Sequence, residues 1–252
     1  MTSAPTPSSP PPATGRWQGL GMRTLSALAL LALLFVAFTL GHWAIRAVIV
    51  LVSVGMFYEW WRLTRGWHVL WKPAGIVYVA AACAAWWVLG THPGILMMVL
   101  GLVIGADVGA YFFGRLIGGP KLAPRISPKK TWAGLAGGII GGYVLGTFCL
   151  STVFMVTYGM GWNNIPEILH SWIRTMVLGF QEHPSQSLYH LGIVTALVIA
   201  AQLGDLFESW MKRKAGVKDS GNLIPGHGGI LDRVDGLVPV SIIVAIVEFF
   251  SW

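Results

Sequence analysis

The chain has 252 residues, of which 55% are apolar and only 11% charged, with a formal net charge of +7. A water-soluble globular domain carries roughly a quarter charged residues, so this composition, with a mean hydropathy of +0.66, excludes one and points to helices in lipid. Thirteen tryptophans and thirty-two glycines suit that solvent, because Trp anchors at membrane interfaces and Gly is tolerated in membrane helices. The basic surplus reports topology or an anionic lipid and phosphate partner, and nucleic acid is the weaker reading.

Residues 1–15, rich in Pro, Ser and Thr, read as a disordered tail, which leaves 16–252 as one integral membrane domain. The run from Met22 to Leu40 exceeds a signal-peptide core of about 7–15 residues and reads as a retained first span. Further apolar runs at roughly 44–61, 73–90, 94–114, 132–158, 188–206 and 236–252 make seven candidate spans, and up to nine if the longer runs split. The predicted fold is all-α, a polytopic transmembrane helical bundle.

Segments 62–72, 115–131 and 207–235, together with Arg16 and Arg23, hold 15 of the 17 basic residues. Alternating seven spans gathers all of them on one side, which the positive-inside rule makes cytoplasmic. In the 159–187 loop opposite, Ile165, Leu169, Trp172, Ile173, Met176, Val177 and Phe180 recur at helical spacing and predict an amphipathic helix, packed or interfacial. Cys83 and Cys149 lie within apolar runs and read as small buried residues, neither a disulfide nor a metal pair.

Chemistry concentrates between Ala201 and Asp235, which hold five of the ten carboxylates, a basic cluster and His227. If the sixth span continues past Asp205, then Asp205, Glu208, Ser209 and Lys212 stand on one helix face. Asp232 and Asp235 repeat the i, i+3 spacing before the last span. Carboxylates converging at a membrane–water boundary are the hard oxygen donors that Mg²⁺ takes together with substrate phosphates. Lys212, Arg213, Lys218 and Arg233 add phosphate donors. The intervening Ile224-Pro225-Gly226-His227-Gly228-Gly229-Ile230 lets backbone N–H groups approach a phosphate. On composition alone, a solvated basic loop with local salt bridges is the alternative.

Upstream, Asp107 sits inside an apolar run, either as a functional group or as a hydrogen-bonded packing carboxylate. Ser127-Pro128 reads as a helix N-cap with proline at the first helical position. Lys129 and Lys130 then stand at a helix start that suits an anion, or simply anchor the fifth span. Glu59 and Glu248 lie near span ends and read as unremarkable interfacial carboxylates, and the histidines other than His227 are scattered without zinc spacing. The Walker pattern is absent.

Ser209-Trp210-Met211-Lys212-Arg213, Lys218-Asp219, Ile224 to Gly229 and Asp232-Arg233-Val234-Asp235 together resemble the signature of the phosphatidate cytidylyltransferase (CDP-diacylglycerol synthase) family. Gly105-Ala106-Asp107-Val108-Gly109-Ala110-Tyr111-Phe112, Gly114-Arg115 and Ser127 to Gly134 are similar to its second conserved stretch, so the resemblance covers roughly residues 95–252. It implies transfer of CMP from CTP to phosphatidate, giving CDP-diacylglycerol and pyrophosphate. It implies Mg²⁺ held by Asp205, Asp232 and Asp235, a second, monovalent cation such as K⁺, and a homodimer. Lys212 and Arg213 join the catalytic set. Ser209, Lys218, Asp219, His227, Gly228, Gly229 and Arg233 are expected at the substrates, with Asp107, Arg115, Lys129 and Lys130 as a second tier. The expected setting is a bacterial inner membrane, with the site facing the cytoplasm. A transporter would instead place polar groups at mid-bilayer and break corresponding helices in two halves, whereas this chain concentrates charge at one face.

Overall fold

The computed structural model describes residues 18–157, 165–224 and 228–250, so the tail at 1–15 and His227 lie outside the described residues. Each of the seven apolar runs forms a helix: α1 (Gln18–Leu40), α2 (His42–Leu63), α3 (Trp71–Leu89), α4 (Pro93–Leu116), α5 (Trp132–Thr157), α7 (Pro184–Lys214) and α9 (Leu237–Phe250). The expected amphipathic helix is α6 (Ile165–Glu182), and a single turn, α8 (Leu231–Val234), precedes α9. Trp172 of α6 donates its indole N–H to Thr147 Oγ1 of α5 at 3.2 Å. Cys83 and Cys149 are free thiols.

Among the described residues, five helices, α2, α3, α4, α5 and α7, have the length and hydropathy to cross a membrane. The chain is an integral membrane protein. The 14 residues of α9 rise only about 21 Å at 1.5 Å per residue, short of a hydrocarbon core of about 30 Å. The 31 residues of α7 rise roughly 46 Å, well past that thickness. Its surplus C-terminal turns carry Asp205, Glu208 and Lys212.

Glycines bring α4 and α5 into backbone contact. A Cβ on Gly105 would overlap the carbonyl of Gly141, and a Cβ on Gly141 would overlap that of Gly105. In lipid, where no hydrophobic force drives helices together, such close approach gains dispersion contacts that larger side chains would forbid. The crossing sets Asp107 and Ala110 of α4 beside Gly134 and Leu135 of α5 in the wall of one cavity. Across the bundle, Trp60 of α2 stacks on Tyr78 of α3 with ring centroids 5.2 Å apart, and Trp86 of α3 donates to Ser241 Oγ of α9 at 2.9 Å.

The all-α expectation needs one correction, at Ser127. Residues Ser127–Thr131 form a strand, β2, paired antiparallel with β1 (Lys121–Ala123), so Ser127 and Pro128 do not open a helix. The cap is Thr131, whose Oγ1 accepts the Gly134 N–H at 3.0 Å as α5 begins at Trp132. Proline is tolerated here because a two-stranded ribbon has open edges, where a missing N–H removes no ladder bond.

Three of the basic segments meet at one end of the bundle. Lys130 of β2 pairs with Asp205 of α7 at 2.6 Å, and Arg62 at the end of α2 donates to the Ser220 carbonyl at 3.0 Å. Lys214 lies over the rings of Trp67 and Trp71, 4.4 and 5.1 Å from their centroids.

Candidate active site

The site begins on α7, where i, i+3 and i+7 spacing turns Asp205, Glu208 and Lys212 to one face. Lys212 Nζ lies 2.6 Å from Glu208 Oε2 and 2.6 Å from Asp232 Oδ1, which ties α7 to the short helix α8. Asp232 Oδ2 accepts three further hydrogen bonds: from Ser220 N at 2.9 Å, Ser220 Oγ at 2.9 Å and Gly229 N at 2.8 Å. Burial works to raise the Asp232 carboxyl, but its hydrogen-bonded neighbours, Lys212 and Gly229 N–H among them, prevail and lower it to about 2.

Asp205, Glu208 and Asp235 form a second grouping, with one oxygen from each lying within 4.8 Å of the others. Asp205 also accepts from Ser209 Oγ at 3.2 Å, and Asp235 Oδ1 from Gly236 N at 2.7 Å. Burial, with repulsion from Asp205 and Asp107, pushes the Asp235 carboxyl up to about 7 against the opposing Gly236 N–H and Lys212. Glu208 is 3% exposed, and its Oε1 has no hydrogen-bond partner among the described residues. A buried carboxylate oxygen without a donor, next to two more carboxylates, is a donor set for a hard cation.

Asp205 and Asp235 open into a cavity of about 470 Å³ whose lining includes Asp107, Lys129, Lys130, Asp205, Lys212, Asp219, Asp232, Arg233 and Asp235. Nine residues expected from the sequence are thus brought to one concavity. Arg115, Arg213 and Lys218 do not line it; Arg115 instead donates to Tyr111 OH at 2.8 Å. Gly228, at φ 82°, accepts the Ile224 N–H at its carbonyl at 3.0 Å. Gly229 must be glycine for another reason, because a Cβ there would overlap Ser220 Oγ and the Glu59 carboxylate.

Glu59 is the residue that sequence reasoning set aside. It is fully buried, and it accepts from Ile230 N at 3.0 Å, Leu231 N at 2.9 Å and Ser220 Oγ at 3.0 Å. From α2 it therefore holds Ser220 on one side and the start of α8, which carries Asp232, on the other. The signal was available, since an ionisable side chain within an apolar run marks a functional position by default, the argument already applied to Asp107. Ser220 was missed because nothing local distinguishes it from other loop serines.

The pattern of the cytidylyltransferase family matches residues 66–250. The chain is 32% identical over 222 residues to a phosphatidate cytidylyltransferase of Rickettsia bellii, covering 87% of this chain and 86% of that protein. It is 30% identical over 224 residues to the protein of that name in Rickettsia felis, covering 88% of each. Against the phosphatidate cytidylyltransferase of Brucella suis it is 37% identical over 185 residues, 72% of this chain and 56% of that longer protein. With the family pattern spanning the cavity and every described residue that builds it except Glu59 and Arg62, the chain belongs to the cytidylyltransferase family.

Proposed function

We propose that this enzyme transfers CMP from CTP to phosphatidate, releasing pyrophosphate, at the cavity where α4, β2, α5, α7 and α8 meet. The observation that carries the reading is the meeting, in the lining of one cavity, of Asp205 and Asp235 from the three-carboxylate cluster with the cationic side chains of Lys129 and Arg233. Two polyanions must be brought together, so catalysis rests on positive charge placed where negative charge develops. In the step itself a phosphatidate oxygen forms a bond to the α-phosphorus of CTP while the α–β phosphoanhydride bond breaks and pyrophosphate leaves. The attacking phosphate is already ionised near neutral pH, so no general base is required.

The donor set fits Mg²⁺, a hard ion that takes a few carboxylates along with substrate phosphates. Asp205, Glu208 and Asp235 would hold it, and the ion would supply charge neutralisation at the phosphate oxygens. Asp232 would join that set only if the ion took the place of Lys212 at Oδ1, because its other oxygen already accepts three hydrogen bonds. Lys129 and Arg233, at the cavity wall, receive nucleotide or lipid phosphate, and Lys130 keeps Asp205 oriented from β2. The basic end of the bundle faces the cytoplasm by the positive-inside rule, where CTP arrives in solution and phosphatidate presents its headgroup.

The test is conversion of radiolabelled CTP and phosphatidate into a lipid-soluble product by purified protein in detergent, with Mg²⁺, with EDTA, and with Asp235→Asn. Product that requires the metal and disappears in the folded variant is expected. Failure to form product with any divalent cation refutes the reaction, and wild-type turnover in the variant refutes the site.

A further inference from the structure

Lys212 and Lys214 are two residues, or about 200°, apart on α7, and they line different cavities. The second cavity, about 400 Å³, lies between the ends of α2 and α7 and is lined by Arg62, Arg65, Trp67 and Lys214 with Leu63, Gly66, Ala215 and Val217. No carboxylate lines it, and none of its three cations forms a salt bridge among the described residues. We propose that this cavity is a second anion site, built for a phosphate ester or free phosphate and separate from the catalytic cavity.

Helix dipoles account for part of the arrangement. Arg62 lies in the last turn of α2 and Lys214 in the last turn of α7, where a single cation is favourable. They do not account for three like charges around one concavity, which repel one another until an anion enters. Lys214 is held in place by indoles, with ring centroids of Trp67 at 4.4 Å, Trp210 at 5.0 Å and Trp71 at 5.1 Å. Such contacts orient the ammonium without neutralising its charge. Two guanidinium groups beside it offer the forked donors that match phosphate oxygens, and clustered indoles are typical of headgroup depth.

The cavity also has a route to the catalytic one. Arg62 donates to the Ser220 carbonyl at 3.0 Å, and Ser220 holds Asp232 through both its N–H and its hydroxyl. An anion that draws on the Arg62 guanidinium therefore acts on the residue that positions Asp232.

The experiment is native mass spectrometry of the full-length protein released from detergent, titrated with phosphatidylglycerol, with zwitterionic phosphatidylcholine, and with inorganic phosphate. Arg65 serves as the variant position because it is exposed and lies outside the catalytic network. Phosphatidylglycerol is expected to bind more tightly than phosphatidylcholine, weakening about fivefold in Arg65→Gln and further in Arg65→Glu, the loss per basic charge near a lipid surface. Displacement of the lipid by millimolar phosphate, lost in the same variants, assigns the site to free phosphate; lipid retention under phosphate assigns it to a headgroup. Equal retention of both lipids, or wild-type titration in both variants with unchanged unfolding temperature, overturns the proposal.

Discussion

Ser220 Oγ stands 3.0 Å from Glu59 Oε2 and 2.9 Å from Asp232 Oδ2, so two carboxylates share one hydroxyl proton. A serine hydroxyl has a single hydrogen to donate. The second carboxylate must rely on its other donors, which are Ile230 and Leu231 N–H for Glu59 and Gly229 N–H, Ser220 N–H and Lys212 Nζ for Asp232. Ser220, Ile230 and Leu231 are thus fastened to α2 through Glu59.

Replacing Glu59 with glutamine turns an acceptor-only group into one that presents N–H atoms to backbone donors. Supporting partners of this kind typically contribute about 10–100-fold to activity or metal affinity. Glu59→Gln is expected to lower kcat by that range with KM for CTP little changed. Steady-state kinetics on protein of verified fold read the two constants separately, and a change in KM alone contradicts the positioning role.

Lys212 is the only side-chain cation paired with Glu208 or Asp232 among the described residues. Removing one partner of a buried ion pair costs about 3–5 kcal/mol because the other charge is left uncompensated. Lys212→Met should destabilise the protein by that amount in detergent, and adding Glu208→Gln should recover part of the loss. Unfolding measurements on the single and double variants form the cycle, and strict additivity would show that the two residues are not coupled.

Cation binding distinguishes Glu208 from its neighbours. With its Oε1 buried and without a donor among the described residues, Glu208→Gln is expected to raise the Mg²⁺ concentration for half-maximal activity about tenfold. Asp232→Asn should instead reduce turnover about 10²–10³-fold, comparable to losing a main electrostatic group. Mg²⁺ titrations at saturating CTP separate the two effects.

On the α4–α5 crossing, Gly105→Ala introduces a methyl group into the Gly141 carbonyl, and overpacking of this kind costs about 1–3 kcal/mol. Gly192→Ala on α7 meets nothing within 4 Å and should be neutral or slightly stabilising. Melting temperatures in one detergent decide the comparison, and an equal gain at both positions would show helix propensity rather than close packing at work.

Much of this architecture was legible in the order of residues. Apolar runs of 17 to 27 residues located each of the seven helices, and a 3.6-residue stripe located α6, because both signals are local. Asp205 and Glu208, or Asp232 and Asp235, reach one face through helical spacing alone. The error at Ser127 arose where two local rules compete: Ser-Pro suits a helix start and an exposed strand equally well, and pairing with Lys121–Ala123 chose the strand.

What the sequence by itself determined is the solvent, the helices, the polar face of α7 and the family. Tertiary structure alone decided which charges compensate one another. Glu59 meets Ser220 across 161 positions and Arg62 meets it across 158, and no periodicity reports contacts at such separations. A buried carboxylate is determined by the donors that surround it, and those donors are assembled only when α2 packs against the loop beyond α7.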